Sequence, residues 1–301
     1  MISFRYHLVS IIAVFLALAL GIVVGTTGLN GEILKNLKQE VKSLRSDNNA
    51  LRTTNADLSK QADNSDSYVS AYEQKVVAGT LTNKSVVVFS APGVPAVLKS
   101  GVEAGVKAAG GTVASRIQLS SAYLDPQRQQ DLRDFATGAA QPTGLQLPVT
   151  SDATVLGGAL LAYVVDGKGS PTDLPQVVAG LSGLGMLRVE GSLKPGQMSI
   201  VLDTGAFVAG DPHAKAMPAL VRELARIGMR TVAAGDAASA TGQGLLAVVR
   251  GDSSLNRVVS TVDNADTALG RVSTVLALTS PAAAQYGTES GATRLFPTAA
   301  K

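Results

Sequence analysis

Between Leu8 and Gly25 the chain reads LVSIIAVFLALALGIVVG, eighteen residues in which Ser10 is the sole polar side chain. No Asp, Glu, Lys or Arg falls between Arg5 and Glu32. As an α-helix, eighteen residues span about 27 Å, close to the hydrocarbon thickness of a bilayer. A buried helix of a soluble domain does not need to be apolar on every face. A cleaved signal peptide is the rival reading, because Ala17-Leu18-Ala19 has the small-x-small form of a cleavage site. The apolar run continues through Ile22, Val23 and Val24 beyond that site, which favours a retained anchor. Arg5 on the short N-terminal flank orients that end to the cytoplasm, against a weaker opposing bias from Lys35 and Lys38. The expectation is a single-pass protein of the cell membrane, anchored by residues 1–29, with everything after residue 30 extracytoplasmic.

A second pattern follows at once. Counting from Leu34 in steps of three and four puts Leu34, Val41, Asn48, Asn55 and Ala62 at a positions of a heptad repeat. The d positions are Leu37, Leu44, Leu51 and Leu58. Leucine at d favours two strands, and Asn at a fixes register by hydrogen bonding across a parallel dimer axis. Glu40 precedes Arg45 by five residues, and Asp47 precedes Arg52 by five, the g-to-e spacing of interchain ion pairs in a parallel dimer. Residues 30–79 are therefore expected to form a parallel homodimeric coiled coil through Leu37, Val41, Leu44, Asn48, Leu51, Asn55 and Leu58. The alternative is one amphipathic helix folded against its own domain.

Past Gly79 short apolar runs alternate with Gly, Pro and Asp. Ser85–Ser90 reads as a buried strand, and a helix carrying Val102 and Val106 follows and stops at Gly110-Gly111. Thr112–Leu119 then reads as a second strand, completing a βαβ unit. Helices are expected at 127–135, 154–165, 174–184, 218–227 and 267–278, and strands at 198–203, 230–234 and 245–249. Residues 80–301 are thus predicted to be an α/β domain with a mostly parallel sheet. A net charge of +3, without a basic cluster interleaved with aromatics, argues against nucleic-acid binding. The absence of Cys excludes disulfides, thiolate metal sites and a Cys nucleophile.

The N-terminal ISFRYHLVSIIAVFLALALGIVVG, the leucine zipper, and the block STVDNADTALGRVSTVLAL followed by QYG and LFP together resemble the MctB family of mycolic-acid bacteria. The resemblance covers nearly the whole chain. It implies a role in copper efflux and homeostasis, copper as a bound or transported ion, and outer-membrane residence. Related proteins imply an alternative: a dimeric coiled-coil scaffold that regulates cell-wall hydrolysis and cell separation through an envelope protein partner.

Copper sites draw on Cys, Met and His. The one close soft pair beyond the anchor is His213 and Met217, four residues apart and on one face if the segment is helical. One membrane helix per chain encloses no channel without oligomerisation, and alternating βα segments are not the strands of a membrane barrel. Asp203-Thr204-Gly205 after an apolar run has the form of an aspartic-protease motif, but those enzymes are β-rich, so Asp203 reads better as the end of a parallel strand. Asp166, Asp203, Asp236 and Asp252 each follow an apolar run and are candidates to line one sheet edge for a hard cation or small ligand. The loop Ala91–Pro95 has neither a dinucleotide fingerprint nor a phosphate-cradling Gly-Lys-Ser/Thr. No catalytic set and no resident cofactor are read from the sequence, and the chain is expected not to be an enzyme.

Overall fold

The computed structural model describes residues 4–138 and 141–298, with the side chains of 26–33 outside that description. The expected boundary between anchor and coil, at residues 29 and 30, falls within that side-chain gap. The chain divides into two compact units, Met1–Asn64 and Ser65–Lys301. Helix α1, Phe4–Val77, is continuous over 74 residues and contributes to both.

The first unit is helix alone. Phe4–Gly25 has a mean hydropathy of 2.9, and its side chains are exposed. Farther along α1, Leu34, Leu37, Val41, Leu44, Leu51 and Leu58 are between 39% and 63% exposed. The 3-4 spacing of these residues puts them on one helical stripe, and that stripe is not covered by the chain itself.

The second unit begins with the last turns of α1. Val77 is fully buried and Val69 packs against the core, whereas Tyr72 and Val76 stay exposed. Val69, seven residues after Ala62, therefore serves the α/β domain. Asp66 accepts a hydrogen bond from the backbone of Ala268 at 2.5 Å, and Glu73 pairs with Arg271 at 3.3 Å. Both partners lie on α9, Ala268–Thr279.

The strands are β1 Ser85–Ser90, β2 Thr112–Leu119, β3 Leu187–Leu193, β4 Met198–Asp203, β5 Arg230–Gly235, β6 Val259–Val262 and β7 Gln285–Tyr286. They form one sheet in the order β3-β2-β1-β4-β5-β6-β7. Every neighbouring pair is parallel except β2 and β3. Residues on both faces of β1, β4, β5 and β6 are buried, because helices cover both sides of a parallel sheet. The helices α2 Ala96–Ala108, α3 Ser121–Leu124, α4 Gln129–Thr137, α5 Ala153–Asp166, α6 Asp173–Gly183, α7 His213–Arg226, α8 Leu245–Gly251 and α9 supply those layers. Helix α5 is buried along nearly its whole length and packs on both α4 and α7, while α2 packs on α9. The α/β class and mostly parallel sheet expected from the sequence are present.

Three expectations change. Leu245–Val249 is helical, not a strand: Leu245, Leu246, Val249 and Arg250 are buried at i, i+1, i+4 and i+5, a spacing that five apolar residues alone do not reveal. Helix α7 begins at His213, five residues before Pro218, which sits inside it. Strands β3, β6 and β7 were not anticipated. Strand β3 is a polar edge strand with Gly191 at φ 76°, and the other two have four and two residues.

Candidate functional site

In strand order, β1 lies between β2 and β4, so the loops leaving the carboxyl ends of β1 and β4 lead away in opposite directions along the sheet. Open α/β sheets bind ligands at such switch points. Asp203 is the last residue of β4, and Asp236 follows β5 directly. Gly235 lets these strand ends converge, since a Cβ there would land on the backbone oxygen of Asp203.

Asp203 is only 1% exposed. Its Oδ1 accepts the Thr204 N–H at 2.9 Å and lies 3.5 Å from Nε2 of His213, the first residue of α7. The His213 ring stacks on Phe207, with centroids 4.3 Å apart and planes 10° from parallel. Among the described residues, no hydrogen-bond partner reaches Oδ2 of Asp203 or Nε2 of His213. Leaving a buried polar atom unsatisfied costs about 1–3 kcal/mol, more for a charged group. Burial pushes the Asp203 carboxyl above the ordinary carboxylate range; His213 and the Thr204 N–H oppose that shift, while the Asp236 charge adds to it.

Asp236 has a different task. Its Oδ1 accepts N–H groups from Gly205 at 3.1 Å and Ser239 at 2.9 Å, tying the loop after β4 to the turn after β5. Phe207 is fixed from the same side, with its carbonyl accepting the Gln243 N–H at 2.8 Å. Asp211 then accepts the His213 N–H at 2.8 Å and sets the entry to α7.

The sequence-predicted residues are distributed as follows. His213 and Met217 share α7, but Met217 is fully buried in the core, while the His213 ring faces Asp203. Of the four aspartates, Asp203 and Asp236 share the carboxyl edge. Asp166 instead ends α5 beside Lys168 at 2.6 Å, and Asp252 follows α8 and pairs with Arg222 at 2.7 Å. Hydrogen bonds from Ser254 and Arg222 hold the Asp252 carboxyl well below the usual range. Asp203 stands at the end of a parallel strand and faces a histidine, within an α/β rather than a β-rich setting. Among the described residues, no three His, Cys, Asp or Glu side chains gather as a metal cluster.

Sequence reasoning missed the pairing of Asp203 with His213, although both residues were singled out. The signal was an aspartate ending an apolar strand and a histidine ten residues later opening the next helix. It also missed Asp263, which follows β6, is fully buried and pairs with Arg250 of α8 at 3.0 Å. Arg250 further donates to Thr261, to the Ser290 carbonyl and to the Tyr286 carbonyl, while Asp263 accepts the N–H groups of Thr288 and Glu289. Gly287, at φ 128°, is required here because a Cβ would land on the Asp263 carboxylate. That network is the structural content of the terminal Gln285-Tyr286-Gly287 motif.

A family model described as "Copper transport outer membrane protein, MctB" matches residues 1–297. The chain belongs to the MctB family. The protein named "Copper transporter MctB" in Mycobacterium tuberculosis is 29% identical over 289 residues, covering 92% of each chain. Its counterpart of the same name in Mycobacterium leprae is 28% identical over 314 residues, covering 98% of this chain and 99% of the relative. The match thus takes in the apolar N-terminal helix, the heptad-spaced segment and the α/β domain together. The family's description and the Phe4–Gly25 helix, long and apolar enough to cross a bilayer, agree on a membrane location.

Proposed function

We propose that the protein is a single-pass envelope component that serves copper efflux, works as a parallel homodimer, and carries its α/β domain on the extracytoplasmic side. The observation that carries this reading is the match to a copper-transport family along residues 1–297, which includes every structural unit of the chain. The exposed stripe of Leu34, Leu37, Val41, Leu44, Leu51 and Leu58 supports the dimer, because apolar side chains at a and d are stable in water only when a second helix covers them. Arg5 on the short flank supports a cytoplasmic N-terminus. Among the described residues one helix is long and apolar enough to cross a bilayer, so a membrane channel built from such helices needs several chains.

The test is the copper content of cells lacking the gene, with and without the wild-type chain restored, after growth in added copper. Restoration is expected to lower cell-associated copper and raise the tolerated copper concentration; equal copper in both strains refutes the reading. The exposed stripe also favours a second reading, a scaffold that presents a coiled-coil surface to an envelope partner controlling cell-wall hydrolysis. Under that reading, removal of residues 34–58 produces a cell-separation defect while copper content stays constant.

A further inference from the structure

We propose that the cleft between α4, the start of α5 and the loop entering α7 binds a small zwitterion, an amino acid or short peptide whose carboxylate meets Arg133 and Lys215 and whose ammonium meets Asp152. The site does not depend on the copper reading. No His, Met or Cys lines it, so it offers no soft donor to that ion.

The cleft has a volume of about 310 Å³. Small-molecule sites span about 300–1,000 Å³, so only a small ligand fits. Leu124, Pro126, Ala153 and Pro212 give it apolar walls. Pro212 belongs to the loop leaving the carboxyl end of β4, the edge at which open α/β sheets take up ligands.

Three charged residues line the cleft: Arg133 from α4, Lys215 from α7, and Asp152, the N-cap of α5. Arg133 is half-buried, and its Nε is sealed from solvent with no partner among the described residues. Among those residues its guanidinium makes one hydrogen bond, from Nη1 to Oε1 of Gln130 at 3.2 Å. Neither Arg133 nor Lys215 forms an ion pair with a described residue. A cation partly withdrawn from water without a counterion is costly, and a carboxylate on its terminal nitrogens offsets that cost. Asp152 is ionised. Burial works against its charge, but hydrogen bonds from Thr154 and Val155 and the nearby Lys215 cation hold its carboxyl below the usual range. Two cations against one anion leave the cleft with one positive charge, which selects a carboxylate, while Asp152 repels multiply charged anions. A ligand with one carboxylate and one ammonium complements all three groups.

The experiment titrates full-length protein in detergent micelles by isothermal calorimetry with alanine and with trialanine, each also in its N-acetylated and its C-amidated form, and with inorganic phosphate. Saturable binding of alanine or trialanine at one site per chain is expected, and the tighter of the two separates a free amino acid from a peptide. Blocking either terminus should weaken binding by at least about tenfold, the worth of one hydrogen bond between charged groups. Arg133→Gln and Lys215→Gln should weaken the unblocked ligand and leave the amide unaffected. Asp152→Asn keeps a good N-cap and should weaken the unblocked ligand while leaving the acetylated form unaffected. Near-ultraviolet circular dichroism checks each fold, and Lys215→Gln, at an exposed position, carries the test if Arg133→Gln does not fold. No saturable binding of either alanine or trialanine overturns the site, as does binding that all three variants leave unchanged. Tighter binding of phosphate, or equal binding of the acetylated form, overturns the zwitterion.

Discussion

Replacing Arg250 with Met tests how the C-terminal segment is held to the sheet. The Arg250 side chain is 3% exposed and its partner Asp263 is fully buried, with 3.0 Å between them. Methionine keeps much of the aliphatic volume and removes every donor. The variant leaves the Asp263 carboxylate buried without its cation and strips the Tyr286 and Ser290 carbonyls of their guanidinium hydrogen bonds. Removing one partner of a buried ion pair costs about 3–5 kcal/mol. For a domain of this size that lowers the melting temperature by about 6–20 °C. Adding Asp263→Asn removes the stranded charge, so the double variant is expected to recover about 1–3 kcal/mol of the loss. The chain has no Trp and six Tyr, and Tyr123 and Tyr286 are among the largest fully buried side chains, so near-ultraviolet circular dichroism during urea unfolding follows the α/β domain rather than α1. A loss below about 1 kcal/mol in Arg250→Met, with no recovery in the double variant, refutes the reasoning that this pair carries the segment.

Three further outcomes are expected. Leu44→Asp with Leu51→Asp places two charges per chain in the proposed dimer seam, and sedimentation of the detergent-solubilised protein should show monomer where the wild type shows dimer; a persistent dimer refutes the zipper. Asp203 has a raised carboxyl pKa in the folded state, so the fold holds its proton more tightly than the unfolded chain does, and stability falls as pH rises through the folded value. Asp203→Asn should therefore match the wild type at acid pH and equal or exceed it at neutral pH, by about 1.4 kcal/mol for every tenfold difference in proton affinity between the folded and unfolded chain; thermal melts from pH 4 to 8 that show the reverse order refute the assignment. Gly287→Ala should destabilise the domain and speed hydrogen exchange at 286–294, because the residue sits at positive φ with its Cβ position taken by Asp263.

What could be read without coordinates was local and periodic. An eighteen-residue run free of charge and apolar but for Ser10 states its length and environment directly, and the four d-position leucines state a helical repeat. Strands β1 and β4 carry short apolar runs, Val86–Phe89 and Ile200–Leu202, and β2 alternates polar and apolar residues from Arg116 to Leu119, so their limits at 85–90, 112–119 and 198–203 follow from pattern. Strand β3 lacked that signature because an edge strand exposes polar side chains, and Leu245–Val249 was ambiguous because five apolar residues fit both periods. The tertiary structure alone decided which distant residues meet. Asp203 and His213 are ten positions apart, and Arg250 with Asp263 thirteen; only strand order and the helix crossings bring each pair together. The i,i+4 rule that joined His213 to Met217 describes neighbours on one helix, but it cannot say which of them the sheet buries. Packing on the sheet sends the methionine into the core, and the end of β4 meets the histidine.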